Sequence, residues 1–109
     1  MKVHLGWDMV DEFCFIDYVG MGIFRPDKLP SQNRIKLLDN YLNCLKTRII
    51  PSCFDIELIA VHVQYKKDMY RDSRKKAEKR LSARLKKLPL ERAILYKKTA
   101  EKATKRPQY

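Results

Sequence analysis

Four acidic side chains near the amino end are the first residues whose type and spacing could do chemistry. Asp8, Asp11, Glu12 and Asp17 lie close enough in sequence for two of them to share a helical face. Paired carboxylates can bind a cation or divide the roles of general acid and general base. The alternatives are a solvated face, or one that docks a basic neighbour such as this chain's own carboxyl-terminal half. The spacing leaves the role of this cluster open.

The remaining reactive side chains form no recognisable catalytic pattern. Cys14, Cys44 and Cys53 include no CxxC pair, and His4 and His62 are far apart in sequence. We therefore expect buried thiols in a reducing compartment, with no disulfide framework, metal site or cofactor. His62 lies in an apolar run and is interpreted as a packed core histidine. Because Ser, His and Asp also show no spacing typical of a nucleophile site, we expect no enzyme.

Positive charge is the strongest chemical signal in the chain. The 109 residues include 24 Lys and Arg against 13 Asp and Glu, a formal net charge of +11. Residues 1–64 hold seven basic and eight acidic residues, whereas residues 65–109 hold 17 and five. The length predicts one domain, divided into a near-neutral helical module, residues 1–64, and a basic arm and tail, residues 65–109. Such an arm is typical of proteins that contact RNA, DNA, anionic lipid or an acidic protein surface.

Twelve side chains of the basic arm are the candidate RNA- or partner-binding residues. They are Arg71, Arg74, Lys75, Lys76, Lys79, Arg80, Arg84, Lys86, Lys87, Lys97, Lys98 and Lys102. Against RNA they would neutralise phosphates, with affinity that is largely non-specific and falls with salt. Tyr65, Tyr70 and Tyr96 could stack on bases, with core packing as the competing interpretation. The chain has no RRM, KH, zinc-finger or helix-turn-helix signature, so base-specific reading is not predicted.

Helices should position these residues. We predict an all-α fold, a small module of three to four helices, over residues 7–19, 31–50, 52–87 and 90–104. Gly20 and Gly22 should end the first helix, and a strand over 13–19 is its competitor. The predicted inward stripes are Trp7, Val10, Cys14 and Tyr18, then Ile35, Leu38, Tyr41 or Leu42, Leu45 and Ile49, then Phe54, Leu58, Val61, Tyr65 and Met69, with Ile56, Ile59 and Val63 widening the last stripe. Asp8, Asp11 and Glu12 should then lie on the outer side of the first helix.

One long helix, residues 52–87, should organise the chain and extend into the basic arm. Ser52 and Asp55 approximate a capping box at its start, and no Gly or Pro follows until Pro89. Its 36 residues would span roughly 50 Å. Its second half keeps a thin apolar stripe of Ala77, Leu81, Leu85 and Leu88. These leucines should dock on a neighbouring protein or fold back on the last helix.

The compartment is only weakly indicated. No apolar run is long enough to cross a membrane, so we expect no transmembrane segment. Residues 1–17 carry four acids and lack the pattern of a signal or transit peptide. We expect an intracellular, reducing location, with the mitochondrial matrix suspected.

Several short segments carry a resemblance to a known family. Gly22-Ile-Phe-Arg-Pro-Asp27, Leu29-Pro30, Arg48-Ile-Ile-Pro51 and the charged helix after Tyr65 follow one another in an order similar to the small matrix-side helical subunit of the cytochrome bc1 complex. The resemblance implies a structural subunit on the aqueous face of a membrane complex. The chain departs from that family in its basic balance.

Two non-enzymatic functions follow from these observations. The preferred one is a small accessory ribosomal protein, with a mitochondrial ribosome as one option, that contacts rRNA phosphates through its basic carboxyl-terminal helices. The alternative is an aqueous-face accessory subunit of an organellar membrane complex such as a respiratory-chain complex. In that case the basic arm would dock on acidic subunits or lipid headgroups.

Overall fold

Five helices make up the part of the chain that the structure describes. A computed structural model describes residues 9–21, 31–47 and 55–105. The helices are α1 (Met9–Met21), α2 (Ser31–Lys46), α3 (Ile56–Arg71), α4 (Arg74–Lys86) and α5 (Leu90–Lys105), with no strand among the described residues. The predicted all-α class is confirmed, and the predicted count of three to four helices is wrong by at least one.

The extra helix arises because the predicted long helix is broken. Asp72 has extended backbone angles, φ −129° and ψ −167°, and its N–H closes the end of α3 on the Asp68 carbonyl at 2.8 Å. The Ser73 hydroxyl then accepts a hydrogen bond from the Lys76 N–H at 3.2 Å and caps α4. Asp and Ser are good capping residues, so two adjacent polar residues end one helix and begin the next without Gly or Pro.

The start of α3 also differs from its prediction. Asp55 is the N-cap residue itself, with its Oδ1 accepting from the Leu58 N–H at 3.2 Å. It therefore does not occupy the third helical position that a cap at Ser52 would give it. Ser52 lies outside the described residues, as do the predicted core residues Trp7, Ile49 and Phe54.

The other helix boundaries fall close to their predicted positions. Helix α1 runs through Gly20 to Met21, so the first glycine does not end it. Helix α2 ends at Lys46, where Thr47 forms a turn by donating its hydroxyl to the Cys44 carbonyl at 3.2 Å. Helix α5 starts directly after Pro89, whose carbonyl accepts from the N–H groups of Arg92 and Ala93.

The core forms where α1 and α3 meet the other helices. Helix α3 packs against α1, α2 and α4, while α5 packs mainly against α1. The buried apolar cluster is Phe13, Ile16, Leu38, Leu45, Leu58, Ile59, Val63, Leu85, Tyr96 and Ala103. Burial of these side chains is the main stabilising contribution, about 1.5–3 kcal/mol for each large one. The predicted division between residues 64 and 65 separates charge and falls inside α3.

The predicted stripes are correct for α2 and α4, correct in α3 at Leu58, Ile59 and Val63, and displaced for α1. Leu38 and Leu45 are buried in α2, and the stripe of α4 packs inward on this chain's own core. In α1 the fully buried residues are Glu12, Phe13 and Ile16, so Glu12 lies on the inner side of that helix and not the outer. In α3 the buried face runs through Ile59, His62 and Val63 beside Leu58.

Candidate functional site

The outward side of α4 carries five exposed lysines. At 100° per residue these positions lie opposite the buried Ala77 and Leu85. We call them the lysine face: Lys75, Lys76, Lys79, Lys86 and Lys87. All five side chains are exposed, and none forms an ion pair with a described carboxylate, although Lys76 interacts with Asp72 at longer range.

Two of the three arginines of α4, Arg80 and Arg84, pair with acidic residues in α3 and at its end. Arg80 Nη1 lies 2.6 Å from Asp72 Oδ2, and Arg84 Nη2 lies 3.0 Å from Asp68 Oδ2. Hydrogen bonding between Asp72 and Arg80 lowers the pKa of the carboxyl and raises the pKa of the guanidinium. These guanidinium groups hold α4 on α3, a role that the sequence did not predict for them.

Arg74 is paired more loosely. Its Nε lies 3.2 Å from Glu78 Oε2, one turn along α4, and this hydrogen bond raises the pKa of the guanidinium. Both side chains are largely exposed, so the pair contributes little to stability. Arg71, in the last turn of α3, is exposed and lies outside the lysine face.

Asp68 is the centre of the ion pairs between α3 and α4. Its side chain is buried, and besides Arg84 it accepts from Gln64 Nε2 at 3.1 Å. Arg80 approaches the same carboxylate at 3.9 Å. A buried carboxylate needs such partners, since a charge without them is costly away from water. Only the i, i+4 spacing of Gln64 and Asp68 indicates part of this cluster in the sequence.

The predicted residues of α5 form a second exposed surface. Lys97, Lys98 and Lys102 are exposed, and no described carboxylate lies within 4 Å of their ammonium groups. Three large apolar side chains of the same helix are also in solvent: Leu90, Ile94 and Leu95, with exposed fractions of 75%, 43% and 43%. Since α5 packs on α1 and α4 packs on α3, the twelve predicted residues belong to separate surfaces.

The three predicted stacking tyrosines are taken up by the fold. Tyr96 is buried in the core. Tyr65 is half-buried, its hydroxyl donates to Glu78 at 3.5 Å, and burial raises its pKa. Tyr70 is half-buried beneath the guanidinium of Arg34, 5.7 Å from the ring centre, and burial raises its pKa to about 12.

A buried polar network joins α1, α3 and α5. We call Asp17, His62, Lys66 and Tyr96 the buried network. His62 Nδ1 lies 2.6 Å from the Tyr96 hydroxyl, and His62 Nε2 lies 2.9 Å from Asp17 Oδ1. Lys66 Nζ reaches the same carboxylate oxygen at 3.1 Å, and Phe13 stacks on the imidazole with ring centres 4.1 Å apart.

The protonation states of the buried network follow from its geometry. Burial lowers the pKa of His62, so the imidazole is neutral near pH 7. Burial alone would raise the pKa of Asp17, but the hydrogen bond from His62 and the charge of Lys66 lower it, so Asp17 is ionised. Tyr96 O–H therefore donates to Nδ1, and Nε2–H donates to Asp17. Burial likewise raises the pKa of Tyr96.

This arrangement places His62 in the core, as predicted, and gives it a carboxylate partner that was not predicted. With 3% of its surface exposed, His62 has no open side from which a substrate could reach it. One sequence signal indicates this pair: Asp17 and His62 are both polar residues inside apolar helical runs. Such residues are buried only with a partner, so each predicts the other.

The acidic cluster is dispersed by the fold. Asp8 lies outside the described residues, Asp11 is half-buried, and Glu12 and Asp17 are buried. The expectation of a solvated acidic face is therefore wrong for Glu12 and Asp17. Docking on the chain's own carboxyl-terminal half is correct for Asp17, which pairs with Lys66. Within the described ranges no group of three or more metal-ligating side chains converges.

The cysteines differ in their surroundings. Cys14 is half-buried, and its Sγ donates to the Ala103 carbonyl at 3.6 Å, which ties α1 to α5. Cys44 is exposed, so the expectation of a buried thiol is wrong at that position. Cys53 lies outside the described residues.

No protein-family model matches the chain, and neither the curated proteins nor the solved structures give a match. No helix in the described part of the chain is both long and apolar enough to span a bilayer.

Proposed function

We propose that this chain is a non-enzymatic structural subunit of a ribonucleoprotein assembly, as an accessory ribosomal protein whose α4 lies against rRNA phosphates. The lysine face is the observation that carries the proposal. None of its five ammonium groups forms an ion pair within the described chain, and Lys76 interacts with Asp72 only at longer range, whereas Arg80 and Arg84 are held in ion pairs. Charges of one sign collected on one face are typical of a surface whose counter-ions belong to a partner.

Phosphates are well suited to that role. Lysine ammonium groups bind them as point charges, and binding releases condensed counter-ions from the nucleic acid. This contribution does not depend on sequence and falls steeply with salt. It fits a subunit that is held in place within an assembly, because the contacts position the protein and carry no sequence information.

The experiment is sedimentation of the native particle that contains this chain, with and without RNase, at low and moderate salt. We expect RNase to release the chain, and we expect its retention to fall as salt rises. A variant with Lys75, Lys79 and Lys86 changed to Gln should be released at lower salt than wild type. A control with Lys36, Lys46 and Lys105 changed to Gln loses the same charge from exposed positions outside the lysine face.

A second candidate function is supported by the surface of α5. The exposed Leu90, Ile94 and Leu95 share that helix with exposed lysines, as expected for a helix that docks on an acidic protein surface. The corresponding function is an aqueous-face accessory subunit of a membrane complex, such as a respiratory-chain complex in the mitochondrion. If the chain stays in a detergent-solubilised membrane complex whose sedimentation is unchanged by RNase, this function replaces the ribosomal one.

A further inference from the structure

The lysine face lacks the side chains that read bases. Arginine makes the bidentate contacts to guanine edges, and both Arg80 and Arg84 are turned toward α3 and engaged by carboxylates. Arg74 is largely exposed, and it is engaged by Glu78 one turn along α4. The outward positions hold lysines with Ser82 and Ala83 between them. Lysine can neutralise a phosphate there, but it offers no planar fork to a base.

The described surface also lacks a stacking platform. Single-stranded RNA gains much of its affinity from bases that stack on aromatic rings, about 1–3 kcal/mol for each base. Every aromatic side chain whose exposure the structure describes is buried or half-buried: Phe13, Phe15, Tyr18, Tyr41, Tyr65, Tyr70 and Tyr96. None of them lies on α4. An unpaired strand could therefore pair its phosphates with the lysines of this face, but its bases would have no aromatic surface on which to stack.

The geometry of α4 favours a rigid and dense anion. From Lys75 to Lys87 the lysine face follows one helix for about 18 Å. Arg80 and Arg84 fix that helix to α3, so the ammonium groups form a straight array on a packed support. A duplex presents about one phosphate charge per 1.7 Å of axis, twice the density of one strand. A straight array of ammonium groups should therefore bind a duplex more tightly than a single strand, because the duplex has the denser and stiffer backbone.

We infer that the RNA element on α4 is the backbone of a double helix, bound by charge alone and without base selection. This inference rests on the proposed function and specifies its ligand. The lysine face contacts phosphates along a duplex stem, while Arg80 and Arg84 act only by holding α4 in position. Shape and 2′-hydroxyl contacts from other parts of an assembly would add to this interaction, as is usual for duplex RNA.

The test is fluorescence anisotropy of the full chain with a labelled RNA duplex of about 16 base pairs. The competitors are each separate strand and a duplex of scrambled sequence, and the salt concentration is varied. We expect the duplex to bind at least about fivefold more tightly than either strand, and the scrambled duplex to bind within about twofold of the original.

Variants separate the lysine face from general charge. Changing Lys75, Lys79 and Lys86 to Gln should reduce the slope of log K against log salt by about 2.7, which is 0.9 for each lost phosphate contact. The control at Lys36, Lys46 and Lys105 should reduce it by less than about 1. Arg80→Gln should leave the slope unchanged while it lowers the thermal midpoint, because its charge is engaged inside the chain. Circular dichroism of each variant establishes that it is folded.

Two failures are distinguishable. If a single strand binds as tightly as the duplex, or scrambling costs more than tenfold, the duplex inference is wrong and the ribosomal proposal stands. The same conclusion follows if both lysine variants reduce the slope equally. If none of these RNAs binds at moderate salt, the proposed function fails and the inference fails with it.

Discussion

At the scale of single residues, the buried network determines how the helices are joined. His62 connects α3 to α5 through Tyr96 and to α1 through Asp17, so one imidazole links three helices. A neutral imidazole has one donor and one acceptor, and both are used here. Protonation would put a second hydrogen on Nδ1, where the Tyr96 hydroxyl now donates. That hydrogen bond would have to reverse, and a charge would enter the core beside Lys66.

This geometry predicts acid sensitivity with a defined sign. Burial lowers the pKa of His62 below its ordinary 6.5, so below that pH the unfolded chain binds a proton that the folded chain refuses. The contribution of His62 to stability is complete above pH 6.5 and is lost as pH falls toward its folded pKa. The thermal midpoint of wild type should therefore fall between about pH 7.5 and about pH 5. The fall should be smaller in His62→Gln, which stays neutral.

Gln is the suitable replacement because its amide can also accept from Tyr96 and donate to Asp17. The other histidine, His4, is retained in both proteins, so the difference between their pH profiles reports on His62 alone. Parallel profiles would show that protonation of His62 is not coupled to unfolding. Asp17 adds a separate dependence at lower pH. Its pKa is lowered from 3.8, so its contribution is present above that value and is lost as pH falls through the folded pKa.

At the scale of helices, the junction of α3 and α4 decides the shape of the carboxyl-terminal half. The apolar and then basic run of residues 52–87 contains no Gly or Pro, which indicates one continuous helix. In such a helix the basic residues would lie far from the core. Asp72 and Ser73 change the outcome, because α4 turns back and packs along α3. Capping by the Ser73 hydroxyl supplies a hydrogen bond that a continuous helix would have to make along its backbone.

The cap can be tested by a pair of serine variants. Ser73→Ala removes the acceptor for the Lys76 N–H and should destabilise the chain by about 1 kcal/mol, a fall in thermal midpoint of roughly 4–8 °C. Ser82→Ala is the matched control. Ser82 is exposed inside α4, where alanine has the better helix propensity, so stability should stay level or rise slightly.

The comparison of the two serines addresses the junction directly. Ser73→Asp should keep most of the stability, since an aspartate can accept the same hydrogen bond. If Ser73→Ala instead matches Ser82→Ala in urea or thermal unfolding, α4 is positioned by its ion pairs and its apolar stripe, and the cap contributes nothing measurable.

The helices could be predicted from periodicity, and their buried faces only in part. The stripe of Ala77, Leu81, Leu85 and Leu88 is correct because most residues on the outer side are lysines and the contrast in polarity is strong. In α1 the inner side includes Glu12 and Asp17, so polarity does not separate inside from outside. Periodicity treats every acid as exposed. It fails where a carboxylate finds a partner on a helix that is distant in sequence.

The candidate site, like the buried faces of the helices, could be predicted only in part. The lysines of the lysine face are exposed, and their binding role stays a prediction. The predicted set included Arg80 and Arg84 because sequence alone does not distinguish an arginine that meets a partner from one that meets Asp68 or Asp72. That distinction depends on α4 folding back on α3, and the prediction of a continuous helix excluded it.

At the scale of the whole molecule, stability and net charge are opposed. A formal charge of +11 on 109 residues favours expansion, and the lysine face adds like charges at neighbouring helical positions. The ion pairs of Asp68 act against this repulsion and are partly buried, so salt screens them less than it screens exposed lysines. Added salt should therefore stabilise the free chain.

The expected result is a thermal midpoint that rises between about 20 mM and about 300 mM NaCl. Changing Lys75, Lys79 and Lys86 to Gln should raise the midpoint at low salt and reduce its salt dependence. The control at Lys36, Lys46 and Lys105 should do so less, because its charges are not clustered. A midpoint that falls with salt would mean that attraction within ion pairs affects the stability of this chain more than repulsion between its like charges.

Duplex RNA should act on the same repulsion in a different way. It should raise the midpoint at low salt by mass action, and this gain should disappear at the salt concentrations that stabilise the free chain. The triple Gln variant at Lys75, Lys79 and Lys86 should be the more stable protein alone and the one less stabilised by RNA. These lysines should therefore destabilise the free chain and stabilise its complex with RNA. Both effects are expected when the counter-charge for that surface belongs to a partner. If the variant gains stability alone and still responds fully to RNA, the lysine face is only a source of repulsion.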